Sequence, residues 1–207
     1  MIIGIDFDNT IVCYDRVFHE KALALGLIEP RTSMRKTSVK NRIQELYGDI
    51  AWQRLQAVVY GQAMHNAQMF DGVREFFSLC AEKRTDVRIV SHKTEFANYD
   101  ETRTNLRRAS LDWMEANGFF NVVGMGLRRE DVFFEASRED KVQRISQLGC
   151  THFIDDLETV LTHKQFNPAI VRILFAPEQT ETTPSYDAAN ITVCSSWQTI
   201  TKLLFGK

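Results

Sequence analysis

Short apolar runs alternate with stretches of helical periodicity along this chain. Ile2 to Phe7 is apolar and rich in β-branched residues, the pattern of a strand buried on both faces. Similar runs recur at Val87-Arg88-Ile89-Val90, His152-Phe153-Ile154, Ile170 to Phe175 and Ile191 to Cys194. Weaker strand candidates lie at Asn121 to Val123 and Val132 to Phe134. Between them, Val73, Phe76, Phe77 and Cys80 form one helical stripe, and Leu106, Ala109, Leu111, Trp113 and Met114 another that ends near Gly118. Val142, Ile145 and Leu148 mark a third, closed by Gly149, and Leu157 to His163 and Trp197 to Leu204 supply two more. Strands alternating with helices predict an α/β layered fold with a mainly parallel sheet.

One stretch breaks the alternation. From Arg16 to Phe70 the pattern is helical throughout. Val17 to Leu25 reads as a helix stopped by Gly26, Pro30 to Lys36 as a loop, Ser38 as the N-cap of a helix to Tyr47, and Asp49 as the cap of a longer helix through Met64. The expected organisation is an α/β core of residues 1–15 and 71–207, with residues 16–70 inserted as a small helical lobe. A chain of 207 residues is long enough for one such core and one small lobe.

Composition narrows the function classes. With 44% hydrophobic and 25% charged residues and a net charge of −2, the chain is an ordinary globular one. Nothing in that balance suggests a nucleic acid or an anionic membrane as partner. No apolar run approaches the roughly 20 residues that span a bilayer. The apolar N-terminus meets an acid at Asp6 and lacks a basic leader, unlike a secretory signal. Cys13, Cys80, Cys150 and Cys194 are scattered among apolar residues, as reduced buried thiols would be, which makes the cytoplasm the expected compartment.

The chemistry gathers at strand ends. Asp6-Phe7-Asp8-Asn9-Thr10 follows directly on the first buried strand, where a parallel sheet presents its ligand site. Strand alternation puts Asp6 and Asp8 on one side, and two such acids repel unless a cation joins them. The pair asks for a hard divalent metal with oxygen ligands. The strand at Val87 to Val90 ends in Ser91, whose hydroxyl suits an anionic substrate. Lys141 opens a helix after a polar turn, and the strand at His152 to Ile154 ends in Asp155-Asp156. One of those two acids could instead cap the helix beginning at Leu157. There is no P-loop, no complete dinucleotide fingerprint and no metal-ligand spacing among the histidines.

The order D-x-D-x-T, serine, lysine, acidic pair resembles the four motifs of the haloacid dehalogenase (HAD) superfamily, over nearly the whole chain from Ile2 to about Phe175. The resemblance implies a Rossmann-like core and a helical cap inserted after the first motif, the place occupied here by Arg16 to Phe70. It also implies a phosphatase-type hydrolase. Asp6 resembles the nucleophile, and Asp8 the acid that protonates the leaving oxygen and then activates water. Ser91 would hold a phosphoryl oxygen and Lys141 would neutralise charge around Asp6. Asp155 or Asp156 would complete a Mg²⁺ shell with Asp6 and the backbone carbonyl of Asp8. An acid at position 8 separates this pattern from the dehalogenases. The segment from His92 to Arg103 is long and polar compared with many relatives, and Lys93 rivals Lys141.

The expected substrate is a small phosphorylated metabolite. The same motifs also serve phosphotransferases and phosphomutases, and a non-catalytic module binding a phosphorylated ligand is a third class. The basic residues Arg31, Arg35, Lys36, Lys40 and Arg42 read as a solvated face, and Tyr47, Trp52 and Tyr60 as packing within the lobe.

Overall fold

The first apolar run becomes the middle of a sheet. In a computed structural model, which describes residues 1–179, 185–186 and 190–206, the strands in chain order are β1 (Ile2–Ile5), β2 (Val12–Cys13), β3 (Gln68–Met69), β4 (Asp86–His92), β5 (Val132–Glu135), β6 (His152–Asp155), β7 (Val171–Phe175), β8 (Ser185–Tyr186) and β9 (Ile191–Cys194). The helices are α1 (Asp15–Ala24), α2 (Lys36–Tyr60), α3 (Val73–Glu82), α4 (Leu106–Ala116), α5 (Arg138–Gln147), α6 (Glu158–Leu161) and α7 (Trp197–Phe205). They divide into two compact units: Met1–Val12, Met69–Lys93 and Gly118–Lys207 in one, Cys13–Gln68 and Thr94–Asn117 in the other. No helix among the described residues is long and apolar enough to cross a membrane.

The first unit is α/β. Its sheet has the order β5-β4-β1-β6-β7-β9-β8, parallel except where β8 runs antiparallel to β9. A parallel sheet is covered on both faces, so its strands lack polar alternation. Ile3, Ile5, Ile89, Val90, Phe153, Ile154 and Ile173 are accordingly buried. One packed group joins Val90 and Phe153 to Val142 and Ile145 of α5 and to Val160, Phe166 and Ile191. Another is aromatic, with Phe76 and Trp197 rings 4.9 Å apart, Phe70 and Phe175 4.9 Å, and Phe77 and Phe119 5.1 Å. Helix α5 starts where Ser137 Oγ accepts the Asp140 N–H at 3.1 Å. It ends in the expected glycine: Gly149 has φ 66°, and the Cys150 N–H reaches back to the Ile145 carbonyl.

The second unit is helical. Phe18 stacks on Trp52 at 4.8 Å, and the Tyr14 and Tyr60 rings meet edge-on at 4.8 Å. Val39, Ile43 and Leu55 are buried. Gly48, at φ 79° and ψ 177°, interrupts α2 between the two helices expected on either side of it. Only glycine adopts that conformation without strain.

Four expectations change. Asn121 to Val123 is a turn, not a strand. The Asn121 carbonyl accepts the N–H groups of Gly124 and Gly126, and its side chain that of Val123. Val122 and Val123 are 90% and 96% exposed, so their β-branched character finds no sheet to pack in. Ser38 lies inside α2 rather than capping it; the first helical N–H, on Lys36, is taken by Asp15 Oδ1 at 3.0 Å. Tyr47 is 52% exposed, whereas Trp52 and Tyr60 pack as expected. Thr94–Asn117, assigned to the core from its sequence position, groups with the helical unit. The Trp113 indole N–H donates to the Ala67 carbonyl at 2.9 Å, and Ser110 Oγ–H to Met64 Sδ at 3.6 Å.

Gly4 shows how tightly β1 is set. A Cβ there would stand 2.5 Å from Phe153 Cδ2 and 2.9 Å from Cys150 Sγ. Overpacking of this kind costs about 1–3 kcal/mol. Gly4→Ala should therefore lower the melting temperature by roughly 2–4 °C for each kcal/mol lost. Thermal unfolding checks this, and a wild-type melting temperature in the variant would contradict the packing described.

Candidate active site

Sheet register assembles the site from three strand ends in the α/β unit. Ile5 of β1 pairs with Ile89 of β4 on one side and Ile154 of β6 on the other. One residue on, the Asp6 N–H donates to the Ile154 carbonyl at 2.9 Å. Asp6 thus leaves the sheet beside Asp155, the last residue of β6, while Ser91 lies two residues beyond Ile89 in β4. The chain then turns tightly. The Phe7 carbonyl accepts the N–H groups of Ile11 and Val12, and the Asn9 N–H donates to the Val12 carbonyl. Asn9 sits at φ 63°, a left-handed conformation that asparagine tolerates. The Trp197 indole N–H holds the Thr10 carbonyl at 3.0 Å.

Lys141 joins two of the acids. It belongs to the inward stripe of α5 with Val142 and Ile145 and is buried. Its Nζ lies 2.6 Å from Asp6 Oδ1 and 2.6 Å from Asp155 Oδ2. The other Asp155 oxygen accepts the Leu157 N–H at 2.9 Å, so Asp155 also stabilises the turn into α6. Ionised groups so deeply enclosed survive only when paired, and removing one partner of such a set costs about 3–5 kcal/mol.

The acids outnumber that ammonium. Carboxylate oxygens of Asp6, Asp155 and Asp156 lie within 4.8 Å of one another, the first two residues buried and the third half-buried. Burial first, and then Asp155, Asp156 and Asp8, push the Asp6 carboxyl well above the usual carboxylate range against the pull of Lys141. Burial works against the charged form of Lys141, but Asp155 and Asp6 outweigh it and raise the ammonium above its ordinary range. An all-oxygen donor set carrying surplus negative charge can hold a hard metal cation.

Asp8 stands apart from that trio. Its Oδ1 and Oδ2 lie 3.1 Å and 3.0 Å from Lys93 Nζ. Its expected contribution to a metal was the backbone carbonyl, and its side chain is engaged with the lysine. Lys93 and Lys141, rivals for one role in the sequence, serve different acids. Lys93 follows Ser91 by two residues, so strand alternation places it on the face of Ser91, but that spacing does not reveal Asp8 as its partner.

Among the described residues, two buried hydroxyls are unsatisfied. Ser91 Oγ and Thr10 Oγ1 are buried and have no hydrogen-bond partner. An orphaned buried hydroxyl costs about 1–3 kcal/mol and calls for an explanation such as a missing ligand. Ser91 was expected to bind substrate; the Thr10 hydroxyl, in the turn after β1, has no role in that expectation.

No family model matches the chain, and no curated protein matches it. Solved structures do. A HAD-superfamily hydrolase from Ehrlichia chaffeensis superposes with a TM-score of 0.54 over 98% of this chain and 94% of its own, at 12% identity. A HAD family hydrolase from Deinococcus radiodurans, solved with bound phosphate and sodium, gives 0.54 over 98% and 94%, at 14% identity. The HAD-hydrolase YfnB from Bacillus subtilis, bound to magnesium, gives 0.53 over 99% and 98%, at 14% identity. The chain has the fold of the HAD-superfamily hydrolases.

Proposed function

We propose that this protein is a Mg²⁺-dependent phosphomonoesterase acting on a small phosphorylated metabolite, such as a sugar phosphate or nucleotide, through a phosphoaspartate on Asp6. The observation that carries the reading is the buried Asp6–Lys141–Asp155 set, with Asp156 beside it and an orphaned Ser91 hydroxyl on the adjoining strand. The HAD fold supports it.

In this reading Asp6, Asp155 and Asp156, with the backbone carbonyl of Asp8, hold the Mg²⁺. When bound, the cation offsets the repulsion between an anionic ester and a carboxylate nucleophile. Ser91 Oγ–H donates to a phosphoryl oxygen, and Lys141 keeps the Asp6 carboxylate oriented and counters charge on the transferred group. An Asp6 oxygen bonds to phosphorus as the ester P–O bond breaks, and Asp8 gives a proton to the departing oxygen. Water then attacks the same phosphorus. Asp8 takes its proton, the bond to Asp6 breaks, and inorganic phosphate leaves. The helical unit is assigned the role of a cap that selects substrate.

The first test is phosphate release from a broad panel of phosphorylated metabolites, with Mg²⁺ and with a chelator. Release from a narrow group, lost with chelator, is expected. Asp6→Asn should lower it by at least about a thousandfold, and retained activity in that variant would sink the covalent route.

A second test needs no turnover. Because the trio concentrates negative charge in the folded state, Mg²⁺ should raise the melting temperature, by the equivalent of about 2.7 kcal/mol at a hundred times its dissociation constant. Asp156→Asn, at the half-buried position of the trio, should shrink that shift. A melting temperature indifferent to Mg²⁺ would contradict the metal assignment.

A further inference from the structure

We propose that Lys93 is the positioning residue for Asp8; the inference rests on the phosphomonoesterase reading and adds a participant to it. The Lys93 ammonium meets both oxygens of one carboxylate, at 3.1 Å and 3.0 Å. The two partners are not equally buried. The Lys93 side chain is 3% exposed and that of Asp8 18%. The Lys93 backbone is fixed where its N–H donates to the Glu135 carbonyl at 2.8 Å, just beyond the pairing of β4 with β5. Its Nζ lies 5.6 Å from the centroid of the Phe7 ring. Lys93 is therefore fixed by the sheet, and Asp8 lies just beyond β1, where its backbone bridges to Val12 and leaves only the side chain to be oriented.

A carboxylate side chain turns about its own bonds, a freedom that a proton-transfer group cannot use. Displacement by about 1 Å costs on the order of a hundredfold in rate. Two-point contact with a buried ammonium removes that freedom, and Lys141 is already committed to Asp6 and Asp155. The lysine does not need to touch substrate to matter; it acts through the orientation of Asp8.

The test is a kinetic double-mutant cycle on the Mg²⁺-loaded enzyme, using whichever panel compound the wild type hydrolyses. Lys93→Met should lower kcat by about a hundredfold with KM changed by no more than about threefold. Lys93→Arg, whose guanidinium can fork onto a carboxylate, should recover part of the loss. In an Asp8→Asn background, Lys93→Met should have no further effect, because its action passes through the missing carboxylate. Should Lys93→Met fail to fold, Lys93→Gln keeps a donor at the position and takes its place in the cycle. Wild-type kcat in the Lys93 variants, or losses that multiply in the double variant, would overturn the inference while leaving the reaction intact. No phosphate release by the wild type itself would overturn the reaction and the positioning role together.

Discussion

One ammonium shared between two buried carboxylates constrains the rest of this molecule. Lys141 can sit 2.6 Å from both Asp6 and Asp155 only if β1 and β6 are neighbours in register and α5 begins at the right height above them. Each condition has its own cause in the sequence. Unbroken apolar runs bury β1 and β6 on both faces. Gly4 admits the Phe153 ring. Ser137 starts α5 four residues before the lysine. Misplacing any of these leaves a charge enclosed without a partner, which a fold of marginal stability tolerates poorly.

The site is nonetheless unbalanced in charge. Asp6, Asp8, Asp155 and Asp156 face Lys93 and Lys141, and burial first, then the neighbouring acids, raise the Asp6 carboxyl against the pull of Lys141. The crowding of acids that stores repulsion in the protein alone favours a cation. The two lysines divide the remaining work: one sits at the acid assigned as nucleophile, the other at the acid assigned to proton transfer.

Much of this was legible because it depends on local pattern. Apolar runs located β1, β4, β6, β7 and β9, and acids at the ends of two of them marked the site. Elsewhere, local signals competed with tertiary ones. The valines of Asn121 to Val123 carry strand character, but the Asn121 carbonyl closes a turn that no neighbouring strand contests. Ser38 is a good capping residue, yet Asp15, distant in sequence, reaches the helix start first. Thr94–Asn117 follows a core strand but packs with helices through Trp113 and Ser110, a partnership that no periodicity reveals. The Lys93–Asp8 pair was hidden for a similar reason: the residues are 85 positions apart, and only the sheet joins them.

Trapping the phosphoryl group during turnover tests whether Asp6 is the residue that carries it. The enzyme is acid-quenched during turnover with Mg²⁺ and a hydrolysed substrate, reduced with borohydride, digested and sequenced by mass spectrometry. Reduction of an aspartyl phosphate yields homoserine, which is expected at position 6 and only with substrate present. Homoserine at another aspartate, or none while phosphate is being released, would contradict that role for Asp6.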